Sequence, residues 1–247
     1  MYITNRFFKF KTPLFWVAIL LLVIFMIPQN NYSQLWRPIG PCYDQEGCTI
    51  SQNSQMVDLM GCTVTVMYQV ITCGTPPNQT FQYQIDQFSY SSGGNCANLH
   101  LYLHPLPGNA LDPDKYADAI QQLYAILFLG DFNAKKNNYH CPNYVEYRHW
   151  WPGSCAMACE TILVNGRHVF HTLSCQELAC CGHRYLYCYN PQTEEIKIDD
   201  FTFWAGTACP PQTRPYIERC PLVGDYFDGV LITDNNTTYC ISNCYEN

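Results

Sequence analysis

All sixteen cysteines of this chain lie downstream of an apolar leader, and no other feature constrains its fold and compartment as tightly. The leader has Arg6, Lys9 and Lys11 ahead of the unbroken apolar run LFWVAILLLVIFMI at residues 14–27, followed by the polar stretch PQNNYSQ. A basic start, a short apolar centre and a polar exit describe a secretory signal peptide. The apolar run falls short of the roughly 20 residues that a membrane-spanning helix needs. Residues 1–34 are therefore expected to be a signal peptide and 35–247 a single disulfide-stabilised domain, secreted or displayed at the cell surface, with no membrane span once the leader is gone. An even number of cysteines in an exported chain is what a closed disulfide framework requires. The expectation is that Cys42, Cys48, Cys62, Cys73, Cys96, Cys141, Cys155, Cys159, Cys175, Cys180, Cys181, Cys188, Cys209, Cys220, Cys240 and Cys244 all pair, with the vicinal Cys180 and Cys181 going to different partners.

The densest block of cysteines, residues 155–188, also carries the clearest hairpin signal, ETILVNGRHVFHT. Asn165 and Gly166 read as the two central residues of a type I′ turn. That turn sets Val164 opposite Arg167, Ile162 opposite Val169 and Glu160 opposite His171. It leaves Thr161, Leu163, His168 and Phe170 on the other face. Around this hairpin, GCTVTVMYQVITC alternates with Val64, Val66, Tyr68 and Val70 on one side. TFQYQIDQFSY sets Phe81, Tyr83 and Ile85 against Gln82, Gln84 and Asp86. These two segments predict paired strands with Pro76 and Pro77 in the loop between them.

Residues 35–60 read as a stapled loop, and NLHLYLHPLP as a short third strand ending at Pro105. One amphipathic helix is predicted: Asp112 as N-cap, Pro113 in the first helical position, then Tyr116, Ala119, Ile120, Leu123, Tyr124 and Leu127 at helical spacing, with Gly130 as the stop. YVEYRHWW and HRYLYCYN predict strands, SCQELACCG a helical turn or two, and EEIKIDDFTFW a strand with a bulge near Asp199 and Asp200. From residue 205 on, loop is expected around a short strand at 230–233. Strands on both sides of one helix give an α+β class with a mainly antiparallel sheet.

The formal net charge of −7 becomes more negative when the basic leader is removed, which argues against nucleic acid as a partner. Charged residues make up only 13 % of the chain and aromatics 15 %, a surface suited to a neutral polysaccharide or another surface protein. Two aromatic groups are the candidate binding residues: Tyr144, Trp150 and Trp151 around one strand, and Tyr185, Tyr187 and Tyr189 as a row on one face of another. Sequons stand at Asn31, Asn78, Asn235 and Asn236.

The tripeptide Gly153-Ser154-Cys155 resembles part of the signature around the nucleophile of papain-like cysteine proteases. The residues that flank that signature are absent, and the chain ends too soon after Cys155 to hold the distant histidine and asparagine. A zinc site from Cys175, Cys180, Cys181, His168, His171 and His183 has no matching ligand spacing, and the hairpin separates His168 from His171. The acidic residues Glu194, Glu195, Asp199, Asp200, Asp225 and Asp228 are neighbours on strands or lie in turns, and no calcium loop is present. No catalytic residue, metal ligand or cofactor is thus expected. The first expectation is a non-enzymatic structural or binding domain at or outside the cell surface. The alternative is a secreted hydrolase whose site is assembled from separate strands.

Overall fold

Alternating β-branched and aromatic residues build the centre of the molecule. The structure, a computed structural model, describes residues 31–32, 46–76, 78–105, 110–151, 155–174, 180–205, 220–238 and 241–242. Strands β1 (Asn31–Tyr32), β2 (Thr49–Leu59), β3 (Cys62–Cys73) and β4 (Thr80–Ser91) come first along the chain. β3 and β4 pair antiparallel as expected, with Val64, Val66, Phe81, Tyr83, Phe88 and Tyr90 all buried. Ile85 and Phe88 are three residues apart, so a perfect pleat would turn one of them away from the core. The register therefore steps between Met67 and Tyr68, which face Gln87 and Ile85, and leaves Asp86 as the bulged residue. Buried Asp86 accepts hydrogen bonds from Gln69 Nε2 (3.2 and 3.1 Å) and Gln84 Nε2 (2.9 Å).

The sheet branches at β4. Its first half pairs parallel with β5 (Val145–Trp151), its second half antiparallel with β7 (Arg167–Ser174). Beyond β5 lie β8 (Cys180–Asn190) and β9 (Glu195–Ala205). Beyond β7 lie β6 (Cys155–Leu163), β11 (Val230–Thr237), β10 (Tyr226–Phe227) and β1, and β12 (Ile241–Ser242) also pairs with β6. Pairing is antiparallel throughout this twelve-stranded sheet except at β1–β10 and β4–β5.

Helix α1 (Ala97–Leu103) occupies the segment expected to be a third strand. Its leucines explain the difference. Leu99 and Leu103, four residues apart, are both fully buried, and the preceding Cys96 is tied to Cys62 of β3. A strand would put Leu101 on the same face as Leu99 and Leu103, yet Leu101 is 66 % exposed, and only helical spacing buries residues four apart while turning the one between them outward.

Helix α2 (Pro113–Lys135) is the predicted amphipathic helix, running past Gly130 to Lys135. Gly130 sits exposed with open space around it, and Phe132, one turn from Phe128, is fully buried, so packing carries the helix through the expected stop. At its start Asp112 accepts hydrogen bonds from the backbone N–H of Asp114 (3.0 Å) and Lys115 (3.1 Å). Asp112→Ala is expected to lower stability by about 1 kcal/mol, and Asp112→Asn by much less, measured by urea unfolding.

Three further expectations are corrected. Residues 49–59, expected to be part of a loop, form the edge strand β2. Most of its residues are polar and exposed, the apolar Ile50 and Met56 are exposed as well, and only Val57 and Leu59 reach the core, so the strand pattern is faint. β9 pairs with β8 in one unbroken register from Glu195 to Ala205, without the expected bulge. This edge strand is largely exposed over residues 195–200, so no core dictates its phase. Cys180, Cys181 and Gly182 belong to β8 rather than to a helical turn, while residues 175–179 lie outside the described residues.

The hairpin of β6 and β7 is present but slipped by one residue. Ile162 faces His168 and Glu160 faces Phe170. The connection has three residues, 164–166, closed by Gly166 N–H donating to the Leu163 carbonyl at 2.9 Å, with Gly166 at φ 76°. A three-residue hairpin loop ending in a left-handed glycine uses the same Asn-Gly pair that a two-residue turn does. The slip carries Glu160 from the face of His171 to that of His168.

Four disulfides brace the described residues: Cys48–Cys73, Cys62–Cys96, Cys141–Cys188 and Cys159–Cys220. The remaining cysteines lie where side chains or backbone fall outside the described residues, as do residues 1–30. Among the described residues no helix is long and apolar enough to cross a membrane.

Candidate functional site

The aromatic row of β8 faces α2. Tyr187 is 3 % exposed and meets Phe132 and Tyr147, with ring centroids 5.2 Å away in each case. Half-buried Tyr185 meets Phe128 at 5.5 Å, and half-buried Tyr189 lies under Lys136 Nζ at 4.7 Å. Tyr144 immediately precedes β5, whereas the backbone of Trp150 and Trp151 ends that strand, opposite Gly182 and Cys181. Six or seven strand steps separate them, roughly 20 Å, so Tyr144 does not join the two tryptophans.

A different set of side chains converges on the other branch of the sheet. α1 carries His100, and His104 caps its C-terminal end with its backbone N–H bonded to the His100 carbonyl at 2.9 Å. Their i, i+4 spacing stacks the two imidazoles on one side of the helix, ring centroids 4.5 Å apart. β6 contributes Glu160 and β7 contributes His168, brought to one face by the slipped register. Glu160 Oε1 receives His168 Nδ1 at 2.7 Å and His104 Nε2 at 3.2 Å. Glu160 Oε2 accepts from Asn236 Nδ2 of β11 at 2.8 Å, so this sequon asparagine has its amide engaged inside the site. Tyr90 of β4 stacks on His168 at 5.1 Å and places its hydroxyl 3.2 Å from His100 Nδ1. The Cys159–Cys220 bridge fixes the backbone next to Glu160, with Cys220 Sγ 3.9 Å from the Glu160 carbonyl.

The electrostatics follow from this enclosure. Glu160 has no exposed surface. Burial pushes its carboxyl up, but hydrogen bonds from His104, His168 and Asn236, with the charge of His104, outweigh burial and bring it down to about 2. Burial, then the neighbouring His104 and His168, lower His100 below the ordinary imidazole value, and Glu160 opposes them. Burial first and the Glu160 charge second push the Tyr90 hydroxyl up, which keeps it neutral. His104 and His168 are nearly covered, while His100 is half-buried and forms the outer side of the cluster.

A second histidine group is part of the core. His149 of β5 stacks on Tyr124 at 4.0 Å and on His183 at 5.2 Å, and burial, reinforced by His183, holds it well below the usual imidazole range.

None of the four central residues was expected to act together. The spacing of His100 and His104 was visible, since either a helix or a strand puts them on one side. The partnership of Glu160 with His168 was hidden by the one-residue slip, and the signal that reveals it is Gly166 as the last residue of a three-residue loop. No family model matches this chain, and no curated protein and no solved structure matches it either. Its function is therefore argued from the chemistry of the site.

Proposed function

We propose that the protein is an exported, disulfide-stabilised hydrolase whose water-activating centre is formed by His100, His104, Glu160 and His168. One observation carries the reading: imidazoles from two elements converge on a single, fully buried carboxylate contributed by a third. Buried carboxylates that orient imidazoles are the usual means of preparing a group to take a proton from water or a hydroxyl. Structural packing alone favours an apolar residue at such a position, because a buried charge must be compensated by hydrogen bonds. The half-buried His100 offers a way in from solvent. The leader and the bridges support an extracytoplasmic location, where such a framework stays oxidised. A flat binding face made of the β8 tyrosines has less support, since α2 covers that row.

The test is turnover of chromogenic carboxylic esters, phosphoesters, glycosides and peptides by the oxidised full-length chain. One class is expected to be hydrolysed. Glu160→Gln and His168→Ala are each expected to reduce kcat/KM by at least ~100-fold while far-UV circular dichroism is kept. His100→Ala, at the half-buried member, serves as the variant least able to disturb folding. Absence of turnover in every class, or wild-type turnover in all three variants, would overturn the proposal.

A further inference from the structure

We infer that His100, His104 and Glu160 form a binding site for one divalent transition-metal ion of the zinc class, an inference that takes its site from the hydrolase reading and adds the ion to it. One nitrogen from each histidine and one carboxylate oxygen lie within 4.8 Å of one another. The separation of His104 Nε2 from Glu160 Oε1, 3.2 Å, is already that of two ligands on a tetrahedral ion, for which bonds of 2.0–2.2 Å set a spacing of ~3.3 Å. The third ligand atom, from the half-buried His100, lies within 4.8 Å of the other two.

Two of the three ligands, His100 and Glu160, are also supported from behind, as metal ligands are. With His100 Nδ1–H donating to the Tyr90 hydroxyl oxygen 3.2 Å away, the unprotonated Nε2 is the nitrogen that would take the ion. His168 Nδ1 and Asn236 Nδ2 hold the two oxygens of Glu160 and fix the plane of the carboxylate. His100 and His104 sit at i, i+4 on one helical face, the spacing by which a helix presents two imidazoles to a single zinc ion. The carboxylate comes from β6 instead of from the helix, so the set is assembled across the fold and shows no local motif.

Two nitrogens and one carboxylate are a borderline donor set. It suits Zn²⁺, Co²⁺ or Ni²⁺ and not Ca²⁺ or Mg²⁺, which require mainly oxygen. Three protein ligands leave a fourth position for water, which is the arrangement of catalytic rather than structural zinc. His168 then acts as a positioning residue for the carboxylate and does not bind the ion.

The experiment is titration of the chelator-stripped, oxidised full-length chain with Zn²⁺ by calorimetry and with Co²⁺ by visible absorption. One equivalent of each is expected to bind, Co²⁺ with the intense absorption of a four- or five-coordinate site, and Mg²⁺ and Ca²⁺ are expected to give no signal. Tyr90→Phe, which removes a support and no ligand, is expected to weaken Zn²⁺ binding about 10–100-fold, and His100→Ala and Glu160→Gln by more than that. Failure of the native chain to bind one equivalent would overturn the inference. Binding left unchanged in both His100→Ala and Glu160→Gln would overturn it as well, by placing the ion elsewhere. The two proposals fail separately: an ion bound without hydrolysis of any substrate class removes the hydrolase and leaves the metal site, whereas hydrolysis that persists in a metal-free, chelator-treated chain removes the metal site and leaves the hydrolase.

Discussion

Phe128→Ala is expected to lower the unfolding free energy by about 3–5 kcal/mol. Phe128 lies in α2 against the β4–β5–β8 branch of the sheet and has no exposed surface. Its ring meets Tyr83 of β4 at 4.9 Å, Tyr147 of β5 at 5.4 Å, Tyr185 of β8 at 5.5 Å and Tyr124 of its own helix at 5.8 Å. Truncation loses the transfer free energy of the ring and leaves a cavity walled by strands that are hydrogen-bonded to one another and cannot close over it. Phe128→Leu keeps most of the apolar contact and loses the ring edges, so it is expected to cost roughly half as much. Leu129→Ala, at the next residue but 41 % exposed, is the control and should stay within about 1 kcal/mol. Urea unfolding of the three variants measures all of this. A Phe128→Ala cost no larger than that of Leu129→Ala would mean that α2 is not packed on the β4–β5–β8 branch.

That helix was the most legible part of the sequence, and the reason is physical. Its apolar residues repeat for five turns and its N-cap is a specific side chain, so local chemistry and tertiary packing agree. β3 and β4 were legible on the same ground. The elements that were missed are those in which a local pattern admits two outcomes. NLHLYLH alternates like a strand, and only the burial of Leu99 and Leu103 with Leu101 exposed between them, and the Cys62–Cys96 bridge beside them, decides for a helix. β2 carries so few apolar residues that its pairing with β3, rather than its own sequence, makes it a strand. The Asn165-Gly166 pair identified the hairpin but not its loop length. Because side chains alternate with a period of two, that single ambiguity was enough to separate Glu160 from His168. The site could not be assembled until the register was known.

The second large effect is expected at Glu160. In the chelator-treated chain Glu160→Ala is expected to cost about 3–5 kcal/mol, because it takes the shared acceptor of His104, His168 and Asn236 from a fully buried position. Glu160→Gln keeps one acceptor oxygen for the histidines but turns an amide towards the Asn236 amide, so its cost should be smaller. A cycle with His168→Ala separates the pair from the general loss of packing: the double variant is expected to be less destabilised than the sum of the single variants by about 0.5–3 kcal/mol. Additivity within error would show that the 2.7 Å contact between His168 and Glu160 contributes nothing to stability. The decisive variant replaces both residues with leucine. Buried ion pairs exchanged for apolar residues of similar volume are often no less stable. Glu160→Leu with His168→Leu should therefore recover part of the stability lost in Glu160→Ala, the His104 and Asn236 donors still lacking the carboxylate, while binding no Zn²⁺. A chain that folds as well without the carboxylate as with it would keep Glu160 for the chemistry of the site, whereas a double-leucine chain as unstable as Glu160→Ala would make the buried network a structural requirement of the β6–β7 branch.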